Sequence, residues 1–277
     1  MRTPTARSLS FVFIVAGLGI AATADAMIAL VGSYDLGEPG TVDPSVGYVP
    51  LRDGAGTAND FTSYQKGSGA LPSIQTTGLA APGSTAAIEL IQTPGKNRNA
   101  GWWDMVGYGL TDDWATQLWV KTPDATDANQ SYLFFSTNSS AGNSVSLEFN
   151  NGRVNLLQNV DTGTRVIGFA YSPDEWFRAT LISYDGTLSL YEDSNGSAVT
   201  STRTLTHALD SLMLGFGLGA PYLRGASGTY DELRVWSFDH TTDSLNDVIA
   251  ATVPEPASSA LLGIGALGLY LRRRRTA

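Results

Sequence analysis

The sequence predicts an all-β protein, an antiparallel β-sandwich, lying between two terminal segments of different character. From Trp102 onward, apolar and polar residues alternate over short stretches, as in residues 144–149, where Val, Leu and Phe alternate with Ser and Glu. This period of two gives a strand one apolar and one polar face. Turn residues such as Asn151-Gly152 separate the stretches, and no amphipathic helix is predicted after Trp102 within the domain. Stacked antiparallel sheets bury such strands.

Residues 1–26 have the pattern of a secretory signal peptide, predicted as a cleavable helix. Two arginines precede an apolar run over residues 11–20, and Ala24-Asp25-Ala26 forms a small-x-small cleavage site. A buried first strand is the alternative for the apolar run, but the charges ahead of it favour the signal. The mature chain is expected to begin at Met27.

Residues 27–101 show a weaker pattern. Short strands are predicted over residues 28–31 and 87–91, with long loops rich in Gly, Pro, Ser and Thr between them. Residues 53–60 carry Asp and Asn in turn-forming surroundings. Their oxygens could bind calcium, but the spacing of an EF-hand loop is missing, so a solvated loop is expected.

The predicted strands after Trp102 follow one another at intervals of roughly a dozen residues, as in known β-sandwiches. Two hairpins are predicted, one turning at residues 151–152 and the other at residues 184–187, because both turns contain a glycine after Asn or Asp. In chain order the predicted strands cover residues 117–120, 132–136, 144–149, 153–156, 176–182, 188–191, 212–218 and 229–236.

The C-terminal segment, residues 251–277, has three parts. An uncharged, mostly apolar run covers residues 257–271 and would span roughly 22 Å as a helix. Because a bilayer core is about 30 Å thick, such a helix spans it only with local thinning or snorkelling arginines. The arginine cluster favours the cytoplasmic side, which places the domain outside. The residues that flank the run are Val253, Pro254, Glu255 and Pro256 before it, and Arg272, Arg273, Arg274 and Arg275 after it.

This tripartite tail resembles the PEP-CTERM sorting signal of Gram-negative bacteria. The resemblance implies recognition by an exosortase, a membrane cysteine transpeptidase, which removes the helix. It also implies a transient inner-membrane intermediate and then release to the cell surface or the extracellular matrix. A tail anchor that is never processed is the alternative.

Charge and cysteine content exclude several classes of function. The chain carries a net charge of −9, and removal of both ends takes away six basic residues and one acidic residue, which leaves about −14. An acidic surface repels nucleic acid, and its plausible ligands are divalent cations and neutral polymers. The chain has no cysteine, which excludes disulfides, a cysteine nucleophile and thiolate metal sites.

Three further segments, residues 118–121, 175–191 and 228–236, resemble the LamG-like, concanavalin A-like jelly-roll domain. The last is the most specific, with acidic and basic residues set between apolar ones. Two departures are Arg178, where many members carry His, and Glu192-Asp193, where Asn-Gly is usual. The resemblance implies a jelly roll over residues 27–250.

Asp231 is the candidate metal ligand, because related folds often bind calcium at an Asp of the last strand. It lies on the same side of its strand as Leu233 and Val235, so partial burial is expected. A salt bridge or hydrogen bond to a neighbouring strand is the alternative. Glu232 and Arg234 lie on the opposite face and are expected to pair.

No catalytic constellation is predicted. The chain lacks a Glu-x-Asp-x-x-Glu pattern, and the adjacent acids at residues 112–113 and 174–175 would point to opposite faces of a strand. The two histidines, His207 and His240, are far apart and are expected at the surface. No serine occupies a Gly-x-Ser-x-Gly elbow. A non-enzymatic role is therefore expected.

Trp102, Trp103 and Tyr108 are the candidate ligand-binding residues, since clustered aromatic rings can form a platform for sugars. A hydrophobic cover over the sandwich edge is the alternative. The expected function is an exported, exosortase-sorted surface or matrix protein that binds polysaccharide or another surface component, with calcium as a candidate cofactor. The alternatives are a glycoside hydrolase or lyase on the same fold and a self-associating structural subunit of the matrix.

Overall fold

The computed structural model describes most of the segment between the two termini. The signal segment, His207 and the sorting tail beyond Val253 lie outside the described residues, so the predicted helices of both termini stay predictions. The described residues are 27–37, 53–56, 63–65, 73–76, 80–82, 84–90, 102–110, 113–122, 132–136, 144–150, 153–158, 164–166, 168–192, 198–204, 209–214, 216–217, 224–225 and 228–253.

Strands dominate the described residues, with a single short helix among them. The helix α1 covers Leu245–Thr252. The strands are β1 Ala29–Tyr34, β2 Ser63–Gln65, β3 Ser73–Thr76, β4 Ala86–Leu90, β5 Trp102–Leu110, β6 Trp114–Lys121, β7 Tyr132–Ser136, β8 Ser144–Asn150, β9 Arg153–Gln158, β10 Thr164–Val166, β11 Phe177–Tyr184, β12 Thr187–Glu192, β13 Ala198–Thr204, β14 Leu209–Leu214, β15 Phe216–Gly217, β16 Arg224–Gly225 and β17 Gly228–Ser237.

Two antiparallel sheets form the domain. The first has eight strands in the order β13-β12-β11-β6-β17-β4-β3, with β1 also paired to β17. The second has seven strands in the order β10-β9-β8-β7-β14-β5-β2. The predicted all-β, antiparallel β-sandwich is confirmed.

The main core lies between the inner faces of the two sheets. Leu118 and Val120 of β6 pack there with Val235 of β17 from the first sheet, and Leu147 and Leu212 contribute from the second. All five are almost completely removed from solvent. Burying a side chain of this size stabilises the fold by roughly 1.5–3 kcal/mol, which is how a chain without disulfides stays folded.

A second, smaller cluster lies on the outer face of the first sheet, beneath α1. Val248 and Val253 pack there against Ala115, Ile182 and Trp236. The helix was not predicted, because two turns with buried residues only at positions 248 and 252 are too short to show a helical period. Its sequence signal is the N-cap: the Ser244 hydroxyl accepts the Asp247 N–H at 3.3 Å and donates to the Asp247 carboxylate at 2.6 Å.

Local turn chemistry was predicted better than strand ends. The β11–β12 hairpin turns through Asp185 (φ 46°) and Gly186 (φ 68°), the positive angles of a type I′ turn. The single strand predicted over residues 212–218 is wrong, because β14 ends at Leu214 and β15 pairs instead with β16 in a separate two-stranded sheet. Glycines on its polar side weaken a continuous strand there.

Candidate functional site

An open cleft of about 410 Å³ lies where β6 ends and β11 begins. Aromatic rings and charged side chains line it together, a combination typical of sites for small ligands. The lining residues that matter below are Trp119, Tyr171, Glu175, Trp176, Arg178 and Glu192.

Trp119 and Arg178 form the outer wall of this cleft. They are register partners on β6 and β11, and the Arg178 guanidinium carbon lies 4.8 Å from the centroid of the Trp119 ring. Both side chains are turned to the outer face because the neighbouring Leu118 and Ala179 point into the core. The guanidinium over the indole is a cation–π contact that fixes the ring orientation.

The floor of the cleft is a packed aromatic group. The ring centroids of Tyr171 and Phe177 are 5.2 Å apart, and Phe169 meets Phe177 edge-on at 6.1 Å. Backbone hydrogen bonds hold this segment in place, since the Val154 N–H donates to the Phe169 carbonyl and the Asp174 N–H donates to the Thr122 carbonyl, both at 2.9 Å. These hydrogen bonds thus fasten the floor of the cleft to β9 and to the end of β6.

The segments that contain Trp119, Trp176 and Arg178 indicate the fold in the sequence, but the cleft that these residues line is not predicted from it. The available signal was a tryptophan on the outward-facing side of a strand, in step with Gln117. Such a position exposes part of a large apolar ring, which is costly unless the ring packs on a neighbour or a ligand.

The predicted aromatic platform lies on the other sheet. Trp102 and Trp103 belong to β5, where Trp103 is in register with Leu214, and their side chains lie outside the described part of the structure. Tyr108 is half-buried at the edge of the core. Its hydroxyl shares a hydrogen bond of 2.6 Å with the Tyr34 hydroxyl, and burial raises its pKa. The ligand-binding role of the three residues stays a prediction.

Tyr108 also packs close to a glycine on β1, a strand of the other sheet. A Cβ atom at Gly32 would collide with the Tyr108 hydroxyl, so a larger residue at this position requires the tyrosine ring to move. Tyr108 therefore packs closely against β1.

Asp231 is completely buried and carries hydrogen bonds from a neighbouring segment. Its carboxylate accepts the Ala81 N–H at 3.1 Å and the Glu232 N–H at 2.8 Å. Burial raises its pKa to about 6, against the lowering effect of these donors and of the Ser84 hydroxyl. This geometry matches the hydrogen-bonded alternative, and calcium at Asp231 stays a prediction.

A β-bulge follows Asp231. Glu232 has φ 45°, and the register of β17 against β6 shifts between Asp231 and Arg234. Beyond it, the Arg234 guanidinium lies 3.6 Å from the Glu232 carboxylate, which confirms their predicted pairing.

His240 lies at the opposite end of the strands from the cleft, between two carboxylates. Its Nδ1 is 2.7 Å from Asp113 Oδ2 and its Nε2 is 3.6 Å from Asp185 Oδ1. The hydrogen bond to Asp113, more than the other nearby acids, raises the pKa of His240. Tyr184 completes the junction by donating its hydroxyl hydrogen to the Asp243 carbonyl at 2.9 Å. The histidine is at the surface, as predicted, but it joins three loops.

Asp113, Asp239 and His240 each place a potential ligand atom within 4.8 Å of the others. Their hydrogen bonds already use much of this capacity, since Asp113 accepts the backbone N–H groups of Asp185 and His240. Asp239 accepts the backbone N–H and the hydroxyl of Thr241. We therefore interpret the cluster as a junction between loops that hydrogen bonds and ion pairs stabilise.

The tail and the fold each have known counterparts. Residues 252–275 match the PEP-CTERM protein-sorting motif, which confirms the predicted signal and marks an exported protein that an exosortase sorts through a membrane-bound intermediate to the cell surface. No helix among the described residues is long and apolar enough to cross a membrane. No curated protein matches the chain in sequence.

Several solved structures are similar in fold. Domain 4 of AbnA, a GH43 extracellular arabinanase from Geobacillus stearothermophilus in complex with arabinotriose, is 16% identical, with a TM-score of 0.51 over 78% of this chain and 96% of that chain. The binding domain of Paraclostridial Mosquitocidal Protein 1 is 11% identical, with a TM-score of 0.50 over 76% of this chain and 50% of that chain.

The receptor binding domain of botulinum neurotoxin D is 14% identical, with a TM-score of 0.49 over 80% of this chain and 52% of that chain. This chain thus spans about half the length of both toxin domains. At identities of 16% and 11%, the arabinanase and mosquitocidal domains indicate a shared fold and no shared function. The chain is a β-sandwich that ends in a PEP-CTERM sorting motif.

Proposed function

We propose that the exported domain is a non-catalytic surface or matrix protein that binds a neutral polysaccharide in the cleft lined by Trp119, Trp176 and Arg178. The observation that carries the proposal is an open cleft with an aromatic wall at Trp119 and an aromatic floor at Tyr171 and Phe177. A tryptophan face offers a flat apolar surface to the C–H groups of a sugar ring, and nearby charged groups accept or donate hydrogen bonds to its hydroxyls.

The charge of the cleft favours a neutral ligand. Glu175 and Glu192 outnumber Arg178 in the lining, and the whole chain has a net charge of −9. A polyanionic glycan would meet repulsion both at the cleft and on approach. Chains of uncharged hexoses or pentoses are not repelled at the cleft or on approach to it.

The test is a glycan array and an exopolysaccharide pull-down with the purified full-length chain in detergent, in calcium and in chelator. Arabinotriose is a suitable first soluble probe, because a domain of similar fold was solved with it. Trp119→Ala is expected to abolish binding, whereas Trp102→Ala with Trp103→Ala is expected to preserve it. Binding that survives Trp119→Ala but not the double change would move the site to β5, as the sequence first suggested.

The non-catalytic part of the proposal is supported by the sequence, which carries neither a Glu-x-Asp-x-x-Glu pattern nor a serine in a Gly-x-Ser-x-Gly elbow. Release of reducing sugar that disappears on Glu175→Gln or Glu192→Gln would instead establish a glycan-active enzyme. Concentration-dependent assembly without glycan, measured by sedimentation, would favour the structural subunit.

A further inference from the structure

The strand β17 changes partners on one of its edges beside the cleft. It pairs with β4 up to Tyr230 and with β1 from Leu233 onward, and the bulge at Glu232 lies at this change. Tyr230 and Leu233 both belong to the core between the sheets. Asp231 therefore lies on the outer face, and not on the side of Leu233 as the sequence predicted.

A turn that precedes β4 covers Asp231. The Ser84 N–H donates to the Ala81 carbonyl at 3.0 Å and closes this turn, and Pro82 occupies its first central position, which proline favours. The Asp231 carboxylate accepts the Ala81 N–H at 3.1 Å and also hydrogen-bonds the Ser84 side chain. It therefore holds the turn, called the Pro82 turn below, at its first and last residues.

The Pro82 turn lies beside the aromatic wall of the cleft. Pro82 is exposed and lines the cleft together with Trp119. The register partners of Trp119 are Arg178 on β11 and Asp231 on β17, and register partners carry their side chains on the same face. Because neighbouring strands are about 4.8 Å apart, Arg178 and the turn over Asp231 flank the indole at a separation of roughly 10 Å.

We infer that the Pro82 turn is the second wall of the cleft, that Pro82 contacts the ligand bound at Trp119, and that Asp231 positions this wall. The inference rests on the proposed function, because it assigns further residues to the same ligand. A proline ring offers a rigid apolar surface to the C–H groups of a sugar and loses no side-chain entropy on contact. Asp231 is completely buried, so it acts through the turn and does not touch the ligand.

The contact at Pro82 is tested by the affinity of the full-length chain in detergent for arabinotriose, or for the neutral glycan that the array identifies. Isothermal titration calorimetry is performed in chelator, so that a calcium ion at Asp231 cannot account for the result. Pro82→Ala is expected to weaken binding about fivefold, because apolar contact is lost. Pro173→Ala is the matched control, since Pro173 is an exposed turn proline that is not among the cleft-lining residues, and it is expected to bind as the wild type does.

The two possible failures are distinguishable in this assay. An unchanged affinity of Pro82→Ala for a glycan that the wild type binds overturns the contact and leaves the proposed function intact. A wild type that binds no glycan overturns the proposed function and the contact with it.

The positioning role of Asp231 is tested without glycan by amide hydrogen exchange of the Pro82 turn, followed by mass spectrometry. Asp231→Ala is expected to speed exchange at Ala81 about tenfold, because the N–H loses its acceptor. Asp231→Asn keeps one acceptor oxygen, so it is expected to show a smaller effect, and it replaces the alanine variant if urea unfolding shows that the latter does not fold. Exchange that neither variant changes overturns the positioning role.

A double-mutant cycle shows whether Asp231 acts on the ligand through Pro82. Asp231→Ala is expected to weaken arabinotriose binding about tenfold. Adding Pro82→Ala is then expected to cause little further loss, because the displaced turn no longer brings position 82 to the ligand. A merely structural role of Asp231 predicts losses that add, and additive losses overturn the inference while leaving the proposed sugar binding intact.

Discussion

The pH dependence of stability is expected to centre on Asp231. Burial raises its pKa from 3.8 to about 6 in the folded protein, so the folded state binds its proton more tightly than the unfolded state does. The stability gained from this proton is complete below about pH 3.8 and is lost as the pH rises through 6. A shift of this size corresponds to about 3 kcal/mol of unfolding free energy across that window.

The assay is urea unfolding at intervals from pH 4 to pH 7.5 for the wild type and for Asp231→Asn. Asparagine cannot ionise, so the variant is expected to lose the decline between pH 4 and pH 7. It is also expected to be less stable at pH 4, because an amide cannot accept all the hydrogen bonds that the carboxyl group accepts. Glu232→Gln, next to it and partly exposed, is the control. Equal pH profiles for wild type and Asp231→Asn would refute the reasoning.

Two further predictions concern α1 and the junction at its start. Val248→Ala removes a fully buried side chain from the cluster beneath α1 and is expected to lower the unfolding free energy by about 2 kcal/mol in urea unfolding, whereas Leu245→Ala, which is exposed, is expected to have little effect. The pKa of His240 is raised by Asp113, so its contribution to stability is present below its ordinary pKa of 6.5 and is lost as the pH rises above its folded value. His240→Gln is expected to remove that loss from the pH profile, and an unchanged profile would contradict the assignment.

Features set by neighbouring residues could be predicted from the sequence, and features set by register could not. Four consecutive residues determine the hairpin turn at Asp185 and Gly186, and one continuous segment contains the sorting motif. By contrast, Trp119 meets Arg178 only through the alignment of two strands, and Asp113 meets His240 across 127 residues. Which two segments meet, and in which register, depends on the pairing of strands that are distant in sequence and is not visible in either segment alone.

The helix α1 lies between the His240 junction and the cleft. All three lie on the outer face of the first sheet, one after another along the direction of its strands. The junction at Asp113, Tyr184 and His240 holds the start of the helix, Gln117 holds its end, and the cleft begins at the next register pair. An isolated helix of eight residues is unstable in water, so a helix that leaves this face also unfolds. The eight residues would then extend from about 12 Å to as much as about 28 Å. The packing of Val248 and Val253 therefore fixes the point at which the chain leaves the domain, beside the cleft.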